Sequence, residues 1–359
     1  MSTLHLNPFL SSAIKAAAAG RINNLFEQFL ETYINIPLGI RSDASTSQKH
    51  IREFLQEESS RVSTFPRILE RNDSDFISGS FGRHTKIWPL DDIDILFPLD
   101  GYDLWYWRNG VVTPNTVVSD GGIMFNPLLG SRWATGGTIS SDLLVSNFCQ
   151  VLKRGYPRSD VSINGEAVTV QLALGASAES DGVSFDVVPC FRLNPYNGTP
   201  SFYLIPDGHN GWKHTNPRLD EAACASLNEF HGRIYRKVVK LVKWWNAYKL
   251  NGAFGSYYIE LSIANYFAMM RSSGQRITVL SEGVAYAFGA LRRARIEGDI
   301  PSPVSDAPAV QLGVLTAAQD QKLTDAYANS ATAVAHENSG RVEQAISAWK
   351  SIFGADFAE

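Results

Sequence analysis

Two aspartates set inside an apolar run, Asp92-Ile93-Asp94-Ile95-Leu96-Phe97, constrain this chain more than any other feature. The β-branched and bulky residues around them predict a buried strand. Side chains alternate along a strand, so Asp92 and Asp94 leave one face, roughly 6–7 Å apart. Two carboxylates on one face of a buried strand are costly unless something positive neutralises them, and a divalent cation with hard oxygen ligands does so. Alone, the pair reads better as a strand end whose carboxylates are solvated or cap a turn. The upstream Gly79-Ser80 shifts the balance. Glycine lets backbone approach a ligand closely, and a serine opening a helix offers donors where anions bind. A phosphate cradle thus comes shortly before a metal-binding strand.

Around this stretch the apolar spacing predicts a scaffold. Ile22 to Tyr33 repeat at helical intervals, Ile36-Pro37-Leu38-Gly39 breaks the pattern, and Ser42 through Thr46 cap a second helix bearing Ile51, Phe54 and Leu55. Residues 101–140, with Trp105, Tyr106, Trp107 and Trp133, read as an insertion of short strands and turns whose aromatics pack its own small core. Ser140 or Ser141 starts a helix that ends by Gly155, and Asn164-Gly165 sits between alternating strands as a hairpin turn. In Val183-Ser184-Phe185-Asp186-Val187-Val188-Pro189, Asp186 stands among apolar neighbours. Adjacent strands lie about 4.8 Å apart, so it can complete a three-carboxylate site, although a lone strand aspartate is more often a local hydrogen bonder. One long helix is predicted from Leu227 through Trp245, with a basic stripe of Arg233, Arg236, Lys240 and Lys243. Another opens at Gly255-Ser256-Tyr257, and residues 276–359 read as helical with a break at Pro301 to Pro308.

Composition sets limits on function. A formal net charge of −4 argues against an overall basic field for long nucleic acid. Cys149, Cys190 and Cys224 show no paired spacing, which points away from a zinc site or disulfide framework and toward a reducing cytoplasm. No apolar run reaches the ~18 residues of a membrane span.

Gly-Ser-Phe-Gly-Arg-His-Thr-Lys-Ile at 79–87 followed by Asp-Ile-Asp-Ile at 92–95 resembles the signature of the polymerase-β-like nucleotidyltransferase superfamily. The longer form is similar to the branch holding cyclic GMP-AMP synthase, oligoadenylate synthetase and the bacterial cGAS/DncV-like nucleotidyltransferases (CD-NTases). The resemblance implies an α/β (α+β) fold: a polymerase-β-like nucleotidyltransferase core with a mixed sheet, plus a helical C-terminal lobe. The expected division is 1–225, core with N-terminal helical scaffold, and 226–359, helical lobe. It implies Asp92, Asp94 and Asp186 as catalytic and metal-binding residues holding two Mg2+ ions, with Mn2+ able to substitute. Gly79 and Ser80 would bind nucleotide, Lys243 and the Ser256 hydroxyl would meet the triphosphate, and Tyr257 would stack on the base.

By the same resemblance the chain would be a cytoplasmic enzyme joining ATP, GTP or other nucleotides into a cyclic di- or trinucleotide second messenger. Its product would activate a separate effector in antiphage (CBASS) defence. The animal synthase holds DNA through a zinc-bearing insertion; no cysteine-histidine cluster of that kind occurs here, so DNA activation by that route is not expected, nor is a membrane partner. A linear oligoadenylate or tRNA-tailing polymerase is the rival within the enzyme class, and the charge of −4 weighs against it. A catalytically inactive nucleotide-binding module is the rival outside it, and the presence of all three aspartates weighs against that.

Overall fold

The computed structural model describes residues 8–69, 76–101, 105–107, 117–119, 132–135, 138–172, 183–193, 202–303 and 309–358. Helix α1 (Pro8–Phe29) runs into one wide π-helical turn, Leu30–Ile34, before the chain extends at Asn35. Its periodic apolar residues Ile22, Phe26, Phe29 and Leu30 are buried, as their spacing predicts. Helix α2 (Leu38–Arg61) starts earlier than Ser42–Thr46 suggest. Pro37 stands at its N-cap with φ −54°, pre-set for helix entry, and no side-chain cap is used. Thr46 instead bonds back to the Ser42 carbonyl within the helix.

Strand β1 (Phe76–Ile77), the single turn α3 (Gly79–Gly82) and strand β2 (Asp92–Leu99) follow. Two short hairpins then occupy the predicted insertion: β3 (Trp105–Trp107) with β4 (Val117–Ser119), and β5 (Ala134–Thr135) with β6 (Thr138–Ile139). The side chains of Trp105, Tyr106 and Trp107 lie outside the described residues. Trp133 departs from expectation, since it packs into the core of the main sheet and not into a separate core of the insertion. Helix α4 (Ser141–Gly155) begins as predicted, with the Ser140 hydroxyl accepting from the Leu143 N–H.

β7 (Asp160–Asn164) and β8 (Ala167–Gln171) form the expected hairpin with its turn one residue later than predicted. Asn164 pairs with Ala167, so the loop is Gly165-Glu166, and Gly165 supplies the positive φ of 55°. β9 (Ser184–Leu193), β10 (Phe202–Pro206) and β11 (Trp212–Thr215) complete a seven-stranded mixed sheet. β9 is its axis. It runs parallel to β2 along one edge and pairs antiparallel with β8 and then β10 along the other. A strand paired on both edges and covered on both faces must be apolar, which Phe185, Val187 and Cys190 satisfy at full burial.

The long helix expected from Leu227 is two helices, α5 (Pro217–Phe230) and α6 (Tyr235–Lys249). Gly232 and Arg233 both adopt positive φ, 67° and 66°, and end the first helix. His231 anchors the break: its Nε2 donates to the Phe267 carbonyl and its Nδ1 accepts the Ile277 N–H, each at 3.0 Å. Arg233 therefore leaves the basic stripe, which is Arg236, Lys240 and Lys243 on α6. Helices α7 (Ser256–Ser272), α8 (Leu280–Glu297), α9 (Ala317–Asn338) and α10 (Val342–Phe353) follow, and a 3-10 turn, Ala355–Ala358, is the last described element. α1 packs into this helical half, with Phe26 edge-on to Trp349 at 5.0 Å and Phe29 edge-on to Trp244 at 4.8 Å. Among the described residues no helix is long and apolar enough to cross a membrane.

Candidate metal and nucleotide site

Because β2 and β9 run parallel in register, Asp94 lies opposite Asp186, while Asp92 lies two residues before Asp94 on the same face. One oxygen from each of Asp92, Asp94 and Asp186 falls within 4.8 Å of the others. All three side chains are half-buried. Three carboxylates offer only hard oxygen donors, the set that suits Mg2+ or Mn2+. Electrostatics agrees with that fit. Burial, and then the charges of Asp92 and Asp186, push Asp94 up to about 6 from its ordinary 3.8, partly opposed by Arg83 and Lys86. Burial and contact with Asp91 likewise push Asp92 up, against the pull of Lys86. A cluster held together against its own repulsion is what a dication relieves. Thr169 faces Asp186 from β8 and its hydroxyl donates to Asp186 Oδ1 at 2.6 Å, fixing that carboxylate.

The glycine of the motif touches the metal strand directly. Gly79 has φ +61°, and a Cβ there would stand 1.7 Å from Asp94 Oδ2. Gly79→Ala thus forces either the turn or the carboxylate to move, on top of backbone strain of about 1–3 kcal/mol. We expect turnover to fall by on the order of a hundredfold, the scale of an ångström-sized misplacement, with far-UV circular dichroism unchanged. Ser80 follows within α3. Its carbonyl accepts from the N–H groups of Thr85 and Lys86 at 2.9 and 3.0 Å, which folds the segment after the turn back onto it.

Lys243, Ser256 and Tyr257 come from α6 and α7. Ser256 is exposed as the first residue of α7, with Gly255 at the N-cap. Tyr257 lies beneath the Arg83 guanidinium at 5.3 Å and donates its hydroxyl to Asp220 at 3.0 Å. A cavity of about 170 Å³ adjoins it, lined by Arg83, Asp220, Leu227 and Leu261 among others. Lys243 is buried, and its ammonium bonds Glu260 at 2.5 Å and the Thr85 carbonyl at 3.4 Å. Arg83 reaches the same Glu260 through Nε at 2.7 Å and Nη2 at 3.2 Å. Burial alone would push Glu260 up, but Lys243 and Arg83 outweigh it and bring it down to about 2.

The predicted residues therefore form two groups. Asp92, Asp94 and Asp186 meet each other and Gly79, while Lys243 and Tyr257 are joined to the motif segment through Arg83 and Glu260. Sequence reasoning missed Thr169, Lys86, Asp220 and the Arg83–Glu260 link. Glu260 carried a readable signal, a carboxylate set inside the apolar run of Tyr258, Ile259, Leu261 and Ile263, all of them buried. Thr169 carried none, since threonine is ordinary in a strand.

No family model matches the chain. A probable cyclic nucleotide synthase of Bacillus cereus strain VD146 is 24% identical over 355 residues, covering 93% of this chain and 97% of that protein. A cyclic AMP-AMP-AMP synthase of an Acinetobacter species, strain ATCC 27244, is 28% identical over 189 residues, 51% of this chain and 50% of that one. Among solved structures, that of the Escherichia coli MS115-1 CdnC:HORMA-deltaN complex matches 94% of this chain and 98% of the other at a TM-score of 0.62 and 18% identity. The structure of CdnC with ATP matches 94% and 99% at a TM-score of 0.59 and the same 18% identity. The mixed sheet with its helical half is thus a fold shared with that protein.

Proposed function

We propose, for a nucleotidyltransferase that is a relative of the cyclic nucleotide synthases, that it joins ATP, GTP or both into a cyclic di- or trinucleotide with release of pyrophosphate. The observation that carries this reading is the convergence of Asp92, Asp94 and Asp186 beside a glycine turn with no room for a side chain. In each bond-forming step a ribose hydroxyl oxygen would attack the α-phosphorus of a nucleoside triphosphate, and the bond to the bridging oxygen would break as pyrophosphate leaves. Divalent ions held by the three aspartates would supply Lewis acidity for both the attacking and the leaving oxygen.

The chain's own residues position the reactants. Gly79 and Ser80 would present backbone donors to the β- and γ-phosphates. Asp186, oriented by Thr169, would serve on the side of the attacking hydroxyl. Tyr257 would stack on a base, an interaction of about 1–3 kcal/mol that tolerates any base. Ser256, exposed at the start of α7, would meet the triphosphate tail. Lys243 would back the cradle from below through its bond to the Thr85 carbonyl, and would reach phosphate only by loosening its hold on Glu260. We further propose that the product is a second messenger that acts on a separate effector in antiphage defence in the cytoplasm, a reading supported by relatives named as cyclic nucleotide synthases.

One incubation tests the reading: purified protein with labelled ATP, GTP, CTP and UTP, Mg2+ or Mn2+ and no nucleic acid, followed by phosphatase and mass analysis. A phosphatase-resistant product that vanishes in Asp92→Ala is the expected result and names the bases. A phosphatase-sensitive ladder would hand the case to a linear polymerase. Nucleotide binding with no product, under any activator tried, would leave an inactive nucleotide-binding module.

A further inference from the structure

Lys86 is the lysine of the 79–87 motif, yet the proposed chemistry gives it no role. Its ammonium contacts Asp91 and Asp92 at once. Its side chain is only 12% exposed, against 43% for Asp92 and 72% for Asp91, so this is no freely waving surface lysine. Its backbone is fixed, because its N–H donates to the Ser80 carbonyl at 3.0 Å; only the stem can swing. On its other side Lys86 lines a concavity of about 280 Å³ with Arg41 of α2, Lys240 of α6, Glu31 of the π-helical turn and His84, whose Nδ1 accepts from the Arg41 guanidinium and whose imidazole is kept neutral by burial and the neighbouring cations. Two cations against the single carboxylate of Glu31 make that direction less favourable for an ammonium than the acidic pair Asp91 and Asp92. Lys86 thus has two acceptors, one inside the carboxylate triad and one outside it.

We propose that Lys86 is a movable counter-ion of the carboxylate triad. Its ammonium neutralises Asp92 until a divalent ion arrives and then rests on Asp91 alone, so Lys86 competes with the ion and Asp91 receives the displaced charge. The inference rests on Asp92, Asp94 and Asp186 being the metal ligands. A dication on Asp92 would stand within a few ångströms of an ammonium on the same carboxylate, and the two cations repel each other at that distance. Asp91 lies outside the triad and is open to water, so the transfer strands no charge in an apolar place. Lys86 acts here as a positioning residue, and the ion's affinity is what it sets.

The test needs no turnover. Mn2+ is titrated into the full chain without nucleotide, and free Mn2+ is followed by its electron paramagnetic resonance signal. Lys86→Met should tighten Mn2+ binding about fivefold, and Asp91→Asn should weaken it by a similar factor, the scale of a partly exposed ion pair. The double variant decides between competition and a general field. With competition, Asp91→Asn has no effect once Lys86 is gone, and the double variant binds Mn2+ as Lys86→Met does. If Asp91→Asn weakens binding equally in both backgrounds, or if Lys86→Met leaves affinity unchanged, the proposal falls while the metal site stands. If Asp94→Asn still binds Mn2+ as the wild type does, or the wild type binds none, the metal assignment falls and takes this proposal with it. Lys86→Gln repeats the series should the methionine variant melt abnormally.

Discussion

Asp94→Asn should abolish turnover, by on the order of a thousandfold or more, and yet leave the metal-free protein more stable than the wild type. The two effects come from one cause. Asp94 is the member of the triad most burdened by burial and by Asp92 and Asp186, and asparagine keeps its shape while removing the charge. Relief of that crowding is worth on the order of 1–2 kcal/mol at neutral pH, a rise of a few degrees in Tm. Added Mg2+ should reverse the ranking, because the wild type gains stability from the ion it binds and the variant does not. Thermal melts with and without Mg2+, run beside the product assay, check this. A variant that melts lower than the wild type in chelator would mean that Asp94 is a structural hydrogen bonder and not a crowded ligand.

The second large effect belongs to Glu260. Its carboxylate is the common partner of Arg83 and Lys243, whose side chains are 11% and 4% exposed. Glu260→Gln leaves two cations in a largely buried place with one dipole between them, and breaking a buried pair in this way costs about 3–5 kcal/mol. The linkage has a definite sign. Glu260 is brought down from an ordinary 4.5 to about 2 in the folded protein. Its contribution is therefore complete above pH 4.5 and is lost as the pH falls toward 2. Urea midpoints of the two proteins should lie far apart at pH 7, draw together as the pH falls below 4.5 and converge only near pH 2. A constant gap across that range would assign the loss to packing. Product formation should fall as well, even where the variant is fully folded, because Arg83 closes the turn that carries Gly79 and Ser80.

What the sequence disclosed and what it hid follow from how local each feature is. Asp92 and Asp94 declare themselves because a charged residue in a β-branched run is anomalous within five residues of context. Asp186 does so for the same reason, and β-strand spacing lets the three meet on neighbouring strands. Their actual alignment depends on a parallel pairing across much of the chain, which no local pattern encodes. The hairpin at Gly165 was legible to within one residue, since a two-residue loop leaves little freedom. The break between α5 and α6 was hidden because Leu227, Phe230, Ile234 and Val238 keep helical rhythm straight through it. It depends on Arg233 taking a positive φ that nothing in its side chain advertises. The Arg83–Glu260–Lys243 junction was hidden for a different reason. Each of its members has an ordinary local explanation, and only tertiary burial makes them partners.

The parallel pairing of β2 with β9 also bears on how such a chain can change over time. Both strands carry their carboxylates near the beginning and leave the sheet at the other end, β2 at Leu99 and β9 at Leu193. The insertion after β2 is therefore rooted roughly 17 Å of strand away from Asp94. A lineage could lengthen or trim the part of that insertion ahead of Trp133, which packs into the core of the sheet, without disturbing the spacing of the carboxylates. Change in the insertion is thereby uncoupled from the carboxylates, and the insertion is the natural place to graft a new input onto an unchanged acidic end of the sheet.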